Sequence, residues 1–125
     1  MEMELAKTFR FESAHFLPNV PADHKCRRVH GHSFRATVRV TGPVDAASGW
    51  VMDYADIATV FEPLRLALDH RSLNDVEGLD NPTSEHVARW IWERLKPALP
   101  LLTSVTVHET CTARCTYRGT EPSRA

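Results

Sequence analysis

The residues able to do chemistry crowd into one short stretch, Cys26-Arg-Arg-Val-His30-Gly-His32. His30 and His32 are two positions apart, so an extended backbone points both imidazoles to one side. Gly31 between them carries no side chain and lets a backbone or a ligand come close. Neutral imidazole is a good zinc ligand, and a third candidate, His15, ends an alternating segment on its inward-facing side. Three histidines would leave the fourth tetrahedral position open, which is what a catalytic Zn2+ needs for water or a substrate oxygen. Cys26 offers a different outcome, because a thiolate added to three imidazoles closes the site into a structural one. A His-x-His pair also arises by chance in a chain with seven histidines. The residues alone therefore leave catalytic zinc, structural zinc and no metal all open.

Two further features bear on the catalytic reading. Asp69-His70 directly follows a helical pattern. A carboxylate there can orient the imidazole or support its protonated form, although a histidine at a helix end also serves as a plain cap. Glu109 falls on the apolar face of an alternating segment, where a carboxylate must meet a cation or donor, or bind a ligand with an amidine-like edge. A bulge that turns it outward is the alternative. Cys111 and Cys115 read as small, partly buried side chains or free thiols.

The elements that must position these groups follow from periodicity. From Leu5 to His15, Leu5, Phe9, Phe11, Ser13 and His15 share one strand face, opposite Thr8, Arg10 and Glu12. A loop with Pro18 and Pro21 leads to a second strand, His32 to Thr41, with Phe34, Ala36, Val38 and Val40 inward. Asp53 caps a helix to Leu68 whose stripe is Ile57, Val60, Phe61, Leu64 and Leu68, with a kink or broken turn expected at Pro63. Residues 69–81 read as a polar loop. Asn81-Pro82 then predicts a second helix, Asn81 as cap and Pro82 in its first turn, with a stripe of Val87, Trp90, Ile91 and Leu95. A strand from Ser104 to Thr110 and a short one from Cys115 to Arg118 complete the chain, with 119–125 as a flexible tail. The sum is one α+β domain over 1–118, a small antiparallel sheet with two helices on one face. Both edges of such a sheet are free, which points to assembly through them.

Length and composition set the limits. A chain of 125 residues with 42% hydrophobic residues makes one domain with a core of its own. Fifteen basic against sixteen acidic residues leave a net charge of −1 and no electrostatic footprint for nucleic acid. No stretch has the length of a membrane span, and the N-terminus lacks the pattern of a secretory signal. With an odd number of cysteines, these features predict a cytoplasmic protein.

Several ordered blocks together resemble the 6-pyruvoyltetrahydropterin synthase family, and within it the bacterial 6-carboxytetrahydropterin synthases of queuosine biosynthesis. They are Phe9-Arg-Phe-Glu-Ser-Ala-His15, Cys26 to His32, Gly49-Trp-Val-Met-Asp-Tyr54, Leu68-Asp-His70 with Leu73-Asn-Asp75, Asn81-Pro-Thr-Ser-Glu85, Val107-His-Glu-Thr110 and Cys115-Thr-Tyr-Arg-Gly119. The resemblance implies that His15, His30 and His32 bind Zn2+, that Cys26 is the catalytic base, and that Asp69 and His70 are its relay partners. It implies that Glu109 anchors the pterin and also serves the relay, with Thr83, Ser84 and Glu85 helping to hold the ring. The implied fold is the tunnelling fold (T-fold), a homohexamer built as a dimer of trimers with active sites at subunit junctions. The implied enzyme is a zinc-dependent carbon–carbon lyase acting on a dihydropterin triphosphate. Cys26 lies four residues before His30, whereas animal pyruvoyl-forming members carry a longer insertion there, which points to the carboxy-forming subgroup.

Overall fold

A computed structural model describes residues 1–120, so the tail expected at 119–125 lies largely outside the described residues. The long hairpin β1 (Glu2–His15) and β2 (His30–Pro43) pairs antiparallel along its whole length, from Glu2 opposite Pro43 to His15 opposite His30. Both strands are longer than their alternation alone suggested. Helix α1 (Tyr54–Leu68) follows, then the two-residue β3 (Arg71–Ser72), α2 (Ser84–Leu95), β4 (Leu102–His108) and β5 (Arg114–Tyr117). The strand order is β3-β1-β2-β4-β5, antiparallel except for β1 with β3. The backbone at Gly119 still packs on the Trp92 ring, where a Cβ would collide.

Sheet and helices enclose one apolar core. Phe11, Phe34, Ala36 and Val38 from the hairpin, and Val105 and Val107 from β4, meet the α1 and α2 stripes. Full burial of each such large side chain stabilises the fold by about 1.5–3 kcal/mol. The expected stripes are the buried ones, with Val60 at the margin. The polar face of the hairpin carries the other parity, Thr8, Arg10, Arg35, Thr37 and Arg39 among it.

Three expectations need correction. Helix α1 is continuous through Pro63, so of the two outcomes expected there the broken turn does not occur. Pro63 and Thr59 are both exposed, so the carbonyl that loses its amide partner faces water. Helix α2 starts two residues later than Asn81-Pro82 predicts, because Thr83 is the cap and its hydroxyl accepts from the His86 amide. The Pro82 carbonyl instead accepts from His15 Nδ1. Residues 69–81 are not a plain loop: β3 extends the sheet, and a single 3-10 turn (Leu73–Asp75) buries Leu73. The Asn74 side chain clamps that turn to Phe16, accepting from its amide at 3.0 Å and donating to its carbonyl at 2.9 Å.

Candidate metal centre

Strand register assembles the three histidines. His15 sits opposite His30 at the loop end of the hairpin, and His32 lies opposite Ser13, one step inward on the same face. A slip of one residue would turn His15 away from the other two. The ring centroids of His15 are 4.6 Å from His30 and 5.3 Å from His32. One ligand atom from each residue lies within 4.8 Å of the others. Phe34, fully buried, stands edge-on beneath His15 and His32, each at 5.4 Å.

Hydrogen bonds aim these rings. His15 Nδ1 is 2.8 Å from the Pro82 carbonyl, and His30 Nδ1 is 2.7 Å from the Arg28 carbonyl. Each Nδ1 therefore donates its proton, leaving Nε2 as the free electron pair. His15 is fully buried and its Nε2 has no hydrogen-bond partner. A buried polar atom of that kind costs stability unless something satisfies it, and two neighbouring imidazoles offer no proton donor that does so. Burial lowers the His15 pKa, and the His30 and His32 rings lower it further, against the Pro82 hydrogen bond and the Glu109 carboxylate. A neutral imidazole results, the form that binds metal. The donor set fits Zn2+: three nitrogen ligands, two of them held by backbone carbonyls.

Glu109 closes one side of this group. Its Oε1 is 3.4 Å from His15 Nε2 and 3.9 Å from His32 Nε2. The strand ends at His108, so Glu109 is one residue beyond β4 rather than inside it, its amide bonded to the Ala113 carbonyl. It still points inward. Thr83, Ser84 and Glu85 form the start of α2, joined to the centre through the bond from Pro82 to His15.

Cys26 occupies a 3-10 turn (Lys25–Arg27), half-buried, and is not among the clustered ligand residues. Its carbonyl accepts from the Leu17 amide and its amide donates to His24 Nδ1, which holds the turn beside the end of β1. Asp69 and His70 stand together elsewhere. His70 Nδ1 is 2.9 Å from Asp69 Oδ2, and Asp69 Oδ1 accepts from the Glu12 amide at 2.8 Å. That amide, then the His70 ring, then Arg65 hold the Asp69 carboxyl below the usual range. His70 adopts a left-handed backbone (φ 54°), and its ring is 78% exposed. Within one chain, then, the histidine cluster and Glu109 come together, whereas the Asp69–His70 pair faces outward. The carbonyls of Pro82 and Arg28 were not legible as functional, since a carbonyl carries no residue signature. Arg65, 3.4 Å from Asp69 and paired to Glu62, was likewise missed, although its i, i+4 spacing to Asp69 was a readable signal.

Fold and centre together define a small α+β enzyme with a three-imidazole metal site. Residues 4–120 match the family described as 6-pyruvoyl tetrahydropterin synthase. The chain is 45% identical to a 6-carboxy-5,6,7,8-tetrahydropterin synthase of Synechocystis, over 89% of each chain. It is 34% identical to a Drosophila melanogaster 6-pyruvoyl tetrahydrobiopterin synthase, over 83% of this chain and 67% of that one. Its fold superposes on the Caenorhabditis elegans 6-pyruvoyl tetrahydropterin synthase with a TM-score of 0.89 and 30% identity, covering 96% and 97% of the two chains. The chain belongs to the 6-pyruvoyl tetrahydropterin synthase family. No helix of the described residues is long and apolar enough to cross a membrane.

Proposed function

We propose that this protein is a 6-carboxy-5,6,7,8-tetrahydropterin synthase of the queuosine/7-deazaguanine pathway. It converts 7,8-dihydroneopterin triphosphate to 6-carboxytetrahydropterin, acetaldehyde and triphosphate. The observation that carries the reading is a three-histidine centre with Cys26 outside the ligand cluster on the short turn leading into β2. The resemblance to the Synechocystis enzyme and the short Cys26–His30 spacing support this product over the pyruvoyl one.

Zinc held by His15, His30 and His32 would supply Lewis acidity, stabilising negative charge that develops on the substrate side chain. Cys26, as thiolate, takes a proton from that side chain. Asp69 fixes the His70 ring through Nδ1 and leaves Nε2 to exchange protons. The outward-facing pair serves the Cys26 of a neighbouring copy, which accords with a homohexamer, a dimer of trimers, whose sites lie at subunit junctions. The catalytic unit is one domain, residues 1–118, in the cytoplasm. Glu109 accepts hydrogen bonds from the amino-pyrimidinone edge, and Thr83, Ser84 and Glu85 flank the ring.

Two tests follow. Zinc-loaded protein incubated with dihydroneopterin triphosphate should release acetaldehyde and 6-carboxytetrahydropterin, identified by mass. A 6-pyruvoyl product without carbon–carbon cleavage would assign the other activity. Glu109→Gln should weaken pterin binding by roughly 10- to 100-fold, the size of a charge-assisted hydrogen bond, while zinc content and oligomer persist. Titration with the pterin measures the first and metal analysis the second. Unchanged affinity would show that the pterin anchor is misplaced, and loss of zinc would make Glu109 a fourth ligand.

A further inference from the structure

The polar face of the sheet carries a row of basic residues in strict cross-strand register. Arg10 on β1 is opposite Arg35 on β2, Arg35 is opposite His108 on β4, and His108 is opposite Arg114 on β5. Like charges directly opposite one another destabilise a sheet. Among the described residues, Arg10, Arg35 and Arg114 make no ion pair with an acid, although the face has acids to offer. Glu12, two positions along β1, accepts instead from Ser33 Oγ at 2.6 Å. Glu4 lies 3.8 Å from Arg39, which also donates to Thr106 Oγ1 at 2.7 Å, so Arg39 is already engaged. The Arg10–Arg35 pair is therefore held against repulsion with no protein anion to relieve it. Burial lowers the His108 pKa, and Arg35, Arg114 and Arg39 lower it further, so the arginines carry the charge of this row and His108 serves as a neutral hydrogen-bonding member.

This row opens onto the metal centre. Arg10 and Arg35 line one cavity of about 510 Å³ together with Gly31, His32 and Glu109. Gly31 lies between the two regions, and a Cβ there would meet only the Ser13 carbonyl, at an ordinary 3.7 Å. Neighbouring strands are about 4.8 Å apart, so Arg10 and Arg35 on adjacent strands can grip neighbouring phosphates of a linear chain.

We propose that Arg10 and Arg35, continued by His108 and Arg114, form the binding site for a linear polyphosphate whose organic end lies at the His32–Glu109 side of the shared cavity. The inference rests on the substrate proposed above, and it assigns the triphosphate tail to the polar face rather than to Lys25, Arg27 or Arg28 beside the cysteine turn. Arginine suits this task because its planar fork donates two parallel hydrogen bonds to phosphate oxygens.

Inorganic tripolyphosphate is the probe, titrated calorimetrically into the zinc-loaded oligomer. Saturable binding that weakens with added salt is expected. Arg10→Gln and Arg35→Gln should each lower the affinity at least roughly 10-fold, while Arg89→Gln, the same charge change on α2, should not. Arg10→Lys and Arg35→Lys keep the charge and should recover part of the loss. Neither Gln variant should unfold at a lower temperature than the wild type, since each removes a like-charge contact. Dihydroneopterin triphosphate should displace tripolyphosphate, whereas dihydroneopterin without phosphates should bind the Gln variants as it binds the wild type. No saturable binding to the wild type, or wild-type affinity in both Gln variants, would overturn the site. Simultaneous occupancy by both triphosphates would overturn its assignment to the substrate tail. Because binding is read without turnover, a protein that holds tripolyphosphate but forms no acetaldehyde defeats the proposed function and leaves this site standing.

Discussion

Replacing His30 by alanine should empty the metal centre. Purified wild-type protein should hold about one zinc per chain, and the variant close to none, because two imidazoles make a poor site for an ion that wants four ligands. Turnover should fall by at least about 10³-fold, since roughly 4 kcal/mol or more of charge stabilisation disappears with the ion. His32→Ala should behave alike. His15 is the most buried of the three, so His15→Ala should also lower stability, and the two hairpin variants on β2 are the cleaner tests. Metal analysis and product assay, run on the same preparations, check both halves of the expectation. Full zinc occupancy in a protein lacking all three histidines would eliminate the site.

The second large effect separates a base from a ligand. Cys26→Ala should keep its zinc, its assembly and its substrate binding, because the three histidines cluster without it. Its chemical step should fall by roughly 10²–10⁴-fold, the usual worth of a general base. Single-turnover assays on the zinc-replete variant measure the step directly. Alkylation of the wild type should abolish activity in the same way, with bound substrate protecting the thiol. Cys111 is exposed and Cys115 half-buried, so the modified residue must be mapped by peptide. Normal turnover in the zinc-replete variant would remove Cys26 from the chemistry.

The metal ligands were readable because two simple periodicities converge on them. Alternation from Leu5 onward places His15 on the face of Phe11, and His30 and His32 share the parity of Phe34. What alternation could not supply was the register, which joins His15 to His30 across the hairpin and depends on pairing between distant segments. Glu109 was expected inside a strand and lies one residue past its end. Its carboxylate still reaches the histidines, 3.4 Å from His15 Nε2, although the backbone bends at Glu109. The start of α2 was misjudged because Pro82 fits either the first helical turn or the residue before a cap. The choice is made by His15, which needs the Pro82 carbonyl, and that contact spans 67 positions. The short strand Arg71–Ser72 left no periodic trace, since two residues cannot show alternation. Asp69 and His70 were recognisable as a pair, but their outward orientation follows from the Glu12 contact and the left-handed backbone at His70, neither of which has a local signature.

The division of labour between histidines and cysteine can be read spectroscopically without any substrate. Cobalt(II) in place of zinc reports both the geometry and the ligand types of such a site. With three imidazoles and an open position, the cobalt protein should show a spectrum that lacks a thiolate-to-metal charge-transfer band and is unchanged in Cys26→Ala. A charge-transfer band that disappears in Cys26→Ala would place the sulfur on the metal. The centre would then be a closed structural site, and the proposed chemistry would have no base.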